Sequence, residues 1–314
     1  MDVAIFAEAP TIFTGLDLGV PVGLLETAAN CGLRQIRHWL GATQKTGRNR
    51  CLLLHYWSAH TPYGAADGSA LGETADLLRQ GNVEEVRRRY GRAVEHTFEN
   101  KIAPILEELD LARWGVLLFG DHGESWTPDE FYHGTSVHNR VLRVPLYLHA
   151  PYTGNQSPDN GGVISLIDLY ATACGMLGLP REDDGFGVDL LHPAQPEPGI
   201  TSAYRMAEIR PGRDAGDDRV ILDSVQSLAS PVAVRWCVFD AEYRLYGEGD
   251  EWQIERQWTE QPDGDTPSAA AAAYLAVREA FQAGSKWVRR PLEEGTTSAD
   301  DEALRQRLQG LGYL

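Results

Sequence analysis

The sequence predicts an α/β layer fold with a mostly parallel sheet, followed from about residue 200 by a smaller α+β subdomain. Three observations carry this. Short runs apolar on both faces alternate with stretches of helical periodicity, as in a sheet covered on both sides. A segment rich in Pro, Gly and Asp, Arg181 to Gly199, interrupts that alternation. Beyond it the apolar runs become short and close together, as antiparallel strands do. The domains so delimited are residues 1–199 and 200–314.

Val3 to Ala7 reads as the first buried strand, Cys51 to Trp57 as the second and Gly115 to Phe119 as the third. Val144 to Leu148 is the fourth, where Pro145 marks an edge or a strand start, because proline cannot donate to a ladder. Leu24 to Leu40 is predicted helical. The strongest helix spans Val83 to Leu109, with Val83, Val86, Tyr90, Val94, Phe98 and Ile102 three or four apart. Pro104 is expected to disturb its last turns. Ser165 to Leu177 is a further helix, ended by Gly178 and Pro180. In the second part, Val232 to Phe239 and Glu242 to Tyr246 read as antiparallel strands. Ser268 to Ala283 is an Ala-rich helix, and Asp300 to Leu308 a last short one.

With 28 Lys+Arg against 45 Asp+Glu, the 314-residue chain carries a formal net charge of −17. Such a field repels nucleic acid and anionic membrane surfaces, so neither is an expected partner. An anionic substrate would have to be held locally, by a metal or a few cationic groups. No stretch approaches the roughly 18 apolar residues of a membrane span. Met1 to Ala7 lacks the basic and long apolar regions of a signal peptide. The cysteines, Cys31, Cys51, Cys174 and Cys237, are far apart and form no CxxC. They read as small buried hydrophobes in a reducing compartment, and the expected location is cytoplasmic.

The chemistry concentrates in three loops. Phe119-Gly120-Asp121-His122-Gly123-Glu124 follows the third strand directly. Ligands of open α/β sheets sit at the carboxyl ends of strands, and a carboxylate beside an imidazole there suits a metal such as Zn or Mn, less well Ca. Gly120 and Gly123 would let the backbone turn around the pair. Trp57-Ser58-Ala59-His60-Thr61-Pro62-Tyr63 follows the second strand, and Tyr132-His133-Gly134-Thr135-Ser136-Val137-His138 precedes the fourth. Three histidine-bearing loops at strand ends, one with an aspartate, are expected to meet around a single cavity.

These segments, in this order, resemble the metal-dependent sulfatases of the alkaline phosphatase superfamily. Leu53–Tyr63 is similar to their strand and His-x-Pro-Tyr loop, Phe119–Glu124 to their Asp-His-Gly-Glu segment, and His133–Pro145 to the following His-Gly stretch. Ser165–Leu169 with Gly178-Leu179-Pro180, Gly185 to Leu191, and the ending Leu311-Gly312-Tyr313-Leu314 extend the likeness over roughly residues 3 to 314. The resemblance implies an alkaline-phosphatase-like three-layer sandwich. It implies Asp121 and His122 as metal ligands, His60 as an oxyanion contact or general acid, and His133 in the same pocket. The implied cofactor is a divalent metal, Ca, Mn, Zn or Mg. The implied reaction is hydrolysis of a small-molecule sulfate ester, with phosphate or phosphonate esters as the alternative within the superfamily.

Two departures qualify the likeness. Thr135 or Ser136 stands where many relatives carry a lysine. No strand with Asp-Asp precedes Val3, and no cysteine is followed by x-Pro-x-Arg, so the nucleophile segment and half of the metal site are missing and the sandwich is N-terminally incomplete. A fragment, an upstream half supplied by another chain, and a non-catalytic binding or scaffold protein all fit. Other features read blandly. Glu95 and Glu99 lie on a solvated helix face, Arg87-Arg88-Arg89 pair with nearby glutamates, and Asp214, Asp217 and Asp218 form a polar loop. Trp252 and Trp258 are expected to pack in the core, and His138 is either structural or part of the site.

Overall fold

The computed structural model describes residues 1–10, 18–25, 31–126, 131–133, 137–151, 163–181, 187–192, 205–209, 235–240, 242–256 and 268–284. The expected short helix over 300–308, the polar loop at 214–218, Trp258, Thr135 and Ser136 lie outside them. The described residues are α/β, and they divide into two compact units, one holding Met1–Leu111 and the other the residues from Ala112 on.

The first unit is built on a parallel sheet. β1 (Asp2–Ala7) lies between β2 (Val22–Leu24) and β3 (Arg50–His55), both parallel to it. Parallel strands need a crossover, and α1 (Cys31–Gln44) lies in the one that carries the chain from β2 past β1 to β3. Leu25, Ile36 of α1 and Ile105 form the buried core, with Phe6, Leu52, Leu54 and Tyr56 of the sheet side packed on it. The strands at Val3 and Cys51 fall where the apolar runs predict them. The helix expected from Leu24 begins only at Cys31 among the described residues, because Val22–Leu24 pairs with β1 instead.

The long helical pattern from Val83 is realised in three joined pieces. α2 (Leu71–Arg79), which the sequence pattern did not reveal, precedes it; then α3 (Val83–Thr97) runs into a π turn (Phe98–Ile102) and α4 (Ala103–Glu108). Pro104 has no N–H to continue the ladder, and the helix widens just before it, Ala103 N donating to Phe98 O. Arg88 pairs with Glu85, and Arg89 with Glu85 and Glu73, the ordinary surface pairing expected.

The second unit opens with β4 (Val116–Phe119), which pairs antiparallel with β7 (Leu146–His149). The expectation of a mostly parallel sheet fails for this pair. The intervening chain carries no long crossover helix among its described residues, only the hairpin β5 (Ser125–Trp126) with β6 (Phe131–Tyr132) and the one-turn α5 (Asn139–Leu142). β7 begins directly after Pro145, as a strand start at proline requires.

α6 (Asp168–Leu177) ends where Gly178 turns left-handed (φ 63°) and Leu179 N reaches back to Cys174 O at 2.9 Å. The carboxylate of Asp168, fully buried, accepts from Ser165 N at 2.8 Å and Val188 N at 2.9 Å, and so fastens the 187–190 segment to the helix. The antiparallel sheet β8 (Arg205–Ile209), β9 (Arg235–Phe239), β10 (Tyr243–Glu248), β11 (Glu251–Arg256) follows, in the order β11-β10-β9-β8. Its Trp236, Val238 and Leu245 pack on Ala271, Tyr274 and Val277 of α7 (Ser268–Gly284). Trp252 is not core: it stands 42% exposed on edge strand β11. No described helix is long and apolar enough to cross a membrane.

Candidate functional site

Asp121 is the second residue past β4, so the Asp121–Glu124 segment lies at the carboxyl end of that strand. Its path is fixed by close backbone approach. Gly123 N donates to Val141 O at 2.7 Å, and a Cβ on Gly123 would run into the carbonyl oxygen of Arg140. This glycine is required by the neighbouring turn α5; its φ is not left-handed, so the sharp-turn expectation gives way to a packing one. His138 caps that turn, its Nδ1 accepting from Arg140 N at 3.3 Å, which makes it structural.

The hairpin supplies the second half. Ser125 pairs with Tyr132 and Trp126 with Phe131, so Glu124 and His133 stand opposite each other as the next step of the ladder. His133 Nδ1 donates to the Glu124 carboxylate, whose side chain is only 4% exposed. Tyr132 holds an uncommon left-handed φ of 72° while 1% exposed, a strained conformation for a bulky residue. The strain delivers His133 between two rings, 4.0 Å from that of Tyr132 and 4.1 Å from that of His122.

His122 is oriented by its own neighbours. Its Nδ1 donates to Gly123 O at 3.0 Å, which leaves the lone pair on Nε2. That Nε2 lies 3.9 Å from Asp121 Oδ2, and Asp121 Oδ1 accepts from His122 N at 3.0 Å. The Asp121 side chain is 75% exposed and turns to solvent beside the imidazole. One donor atom from each of His122, Glu124 and His133 falls within 4.8 Å of the others. Two imidazoles and a buried carboxylate, with Asp121 adjoining, form a nitrogen–oxygen donor set of the kind that borderline divalent ions such as Zn or Mn take. The residues therefore fit a divalent metal. The hydrogen bond from His133 Nδ1 to Glu124 is the carboxylate–imidazole arrangement that orients metal-bound histidines.

The predicted Asp121, His122 and His133 are thus brought together in the second unit, and Glu124 joins them. Glu124 belongs to the motif the sequence singled out, but its partnership with His133 depends on the hairpin register. His60 lies in the first unit. It follows β3 at its carboxyl end and stacks on Trp57, ring centroids 3.9 Å apart. His60 Nδ1 contacts Thr61 O at 3.1 Å, and His60 N donates to Trp57 O at 2.9 Å. Downstream, Tyr63 is 1% exposed at a left-handed φ of 66°, and Thr74 Oγ1 donates to Pro62 O at 2.9 Å.

Two of the cysteines are inert by burial. Cys174 and Cys237 are buried free thiols, and burial pushes Cys237 up to about 12.

No protein-family model matches the chain, and no curated protein matches it. Among solved structures, the chain is similar to the phosphonate monoester hydrolase SpPMH from Silicibacter pomeroyi, at 15% identity and a TM-score of 0.48, over 87% of this chain and 63% of that one. It is also similar to a protein solved with its substrate, D-glucosamine-2-N,6-O-disulfate, at 10% identity and a TM-score of 0.49, over 83% of this chain and 70% of that one. The chain spans less than two thirds of the length of the phosphonate hydrolase.

Proposed function

We propose that the chain is the downstream part of a metal-dependent ester hydrolase of the alkaline phosphatase superfamily, acting on a small-molecule sulfate ester. The observation that carries this reading is the cluster at the end of β4: stacked His122 and His133, buried Glu124 on His133 Nδ1, and Asp121 at the rim. The motif order His-x-Pro-Tyr, Asp-His-Gly-Glu, Tyr-His-Gly gives it independent support from the sequence.

In this reading Asp121, His122 and His133 hold a divalent metal and Glu124 keeps the His133 imidazole in one tautomer and orientation. When bound, the metal supplies charge stabilisation for the ester oxyanion, which the chain's net charge of −17 would otherwise repel. His60, in the first unit, is the residue that the His-x-Pro-Tyr likeness assigns as general acid. The resemblance leaves the nucleophile unassigned within these 314 residues.

The test is direct. The chain is purified without metal and titrated with Zn²⁺ and Mn²⁺ by calorimetry. It is then assayed with 4-nitrophenyl sulfate and 4-nitrophenyl phosphate, joined to the upstream half of a sulfatase. Stoichiometric metal binding lost in His122→Ala, and sulfate turnover exceeding phosphate turnover, are expected. Wild-type binding in His122→Ala refutes the metal assignment, and phosphate preference refutes the substrate class.

A further inference from the structure

We propose that Glu8 and Lys101 are a positioning pair that locks the Trp57–His60 loop and thereby fixes the His60 ring; this rests on the reading that His60 serves the ester site. Glu8 is the first residue past the carboxyl end of β1, the central strand of the parallel sheet. Its side chain is 6% exposed. A carboxylate buried that deeply is costly unless it is paired and its lone pairs are filled. Here they are filled from two directions. Lys101 Nζ forms an ion pair with Oε1. On Oε2, Ser58 Oγ donates at 2.6 Å and Trp57 N at 2.8 Å. Lys101 Nζ also donates to Ser58 Oγ, which closes the network.

On the β3 side, both groups that donate to the Glu8 carboxylate belong to the loop that carries His60. Trp57 is both the residue whose N–H is captured and the ring on which His60 stacks, and its carbonyl accepts from His60 N. Fixing Trp57 at both ends of its peptide therefore fixes the platform under the imidazole. Lys101 comes from an unusual place, the π turn Phe98–Ile102. Such turns are rare and recur at functional sites, where they re-aim a side chain that a regular helix would carry elsewhere. An ion pair serving stability alone has no need of a loop serine and a loop amide on the same oxygen.

The test uses the full chain, with Ser58→Ala and Lys101→Met. Ser58→Ala removes only the loop's hydroxyl and keeps the ion pair, so it reports even where Lys101→Met fails to fold. Loss of a hydrogen bond to a charged group predicts about ten- to a hundredfold faster amide exchange. That acceleration is expected at Trp57 and His60, with β1 protection retained and the His60 ring resonances displaced in NMR spectra. Unchanged exchange at Trp57 and His60, or acceleration spread evenly through β1 and β3, overturns the proposal. Turnover of His60→Ala in the reconstituted enzyme decides separately whether His60 acts. Wild-type turnover there sinks the catalytic reading and leaves the exchange result standing.

Discussion

Truncating Glu124 to alanine is expected to weaken metal binding by about two orders of magnitude, and the structure supplies two routes to that figure. The carboxylate is 4% exposed and accepts from His133 Nδ1. A hydrogen bond to a charged group is worth about 1.5–3 kcal/mol net. Carboxylates that orient a ligating imidazole are worth about 10–100-fold in affinity, which is about 1.4–2.7 kcal/mol. The two estimates overlap, so Glu124→Ala should fall near the upper end, about 100-fold. Glu124→Gln keeps an acceptor for the Nδ1 hydrogen and loses only the charge, so it should fall near the lower end, about tenfold. The assay is calorimetric titration of the metal-free chain with Zn²⁺ or Mn²⁺ at constant pH, with circular dichroism to establish that each variant is folded. If Glu124→Ala binds within threefold of the wild type while folded, the carboxylate neither holds nor orients anything at the metal. If Glu124→Gln loses more than Glu124→Ala, the orienting role is wrong.

Three further outcomes are expected. Gly123→Ala should cost about 1–3 kcal/mol of stability, measured by urea unfolding, because its Cβ meets the Arg140 carbonyl, which a backbone turn cannot move aside; metal affinity should drop with it. Asp168→Ala leaves two amides, Ser165 N and Val188 N, without their acceptor in a buried place, at about 1–3 kcal/mol each; Asp168→Asn retains one acceptor oxygen and should lose about half as much. Cys237 should resist thiol reagents at pH 8 until the protein unfolds. Its folded thiol is raised to about 12, above the unfolded value near 9, so the stability it contributes is full below pH 9 and is lost as pH rises toward 12; a native thiol count that includes Cys237 would contradict this.

The strands were legible where burial on both faces left an unbroken apolar run, as at Val3, Cys51 and Gly115. β2 was not: Val22-Gly23-Leu24 carries too few residues for a period, and only pairing with β1 makes it a strand. α2 was hidden for a different reason, since Leu71–Arg79 opens in a Gly-containing stretch with no side-chain cap. Strand direction was not legible at all. The run at Leu146 looks like any buried strand, and its antiparallel pairing with β4 depends on how the chain between them returns. Within the site, Asp121, His122 and His133 announce themselves by residue type and glycine neighbours. Glu124 stands in the same motif, but its role does not show there, because nine residues separate it from His133 and only the Ser125↔Tyr132 register brings the two opposite.

That register has a consequence for how such a site changes over time. Side chains on paired strands alternate faces, so a slip of a single residue between β5 and β6 would turn the His133 imidazole away from Glu124. Positions 124 and 133 are thereby bound to change together, since a substitution at either leaves its opposite number without the group it faces.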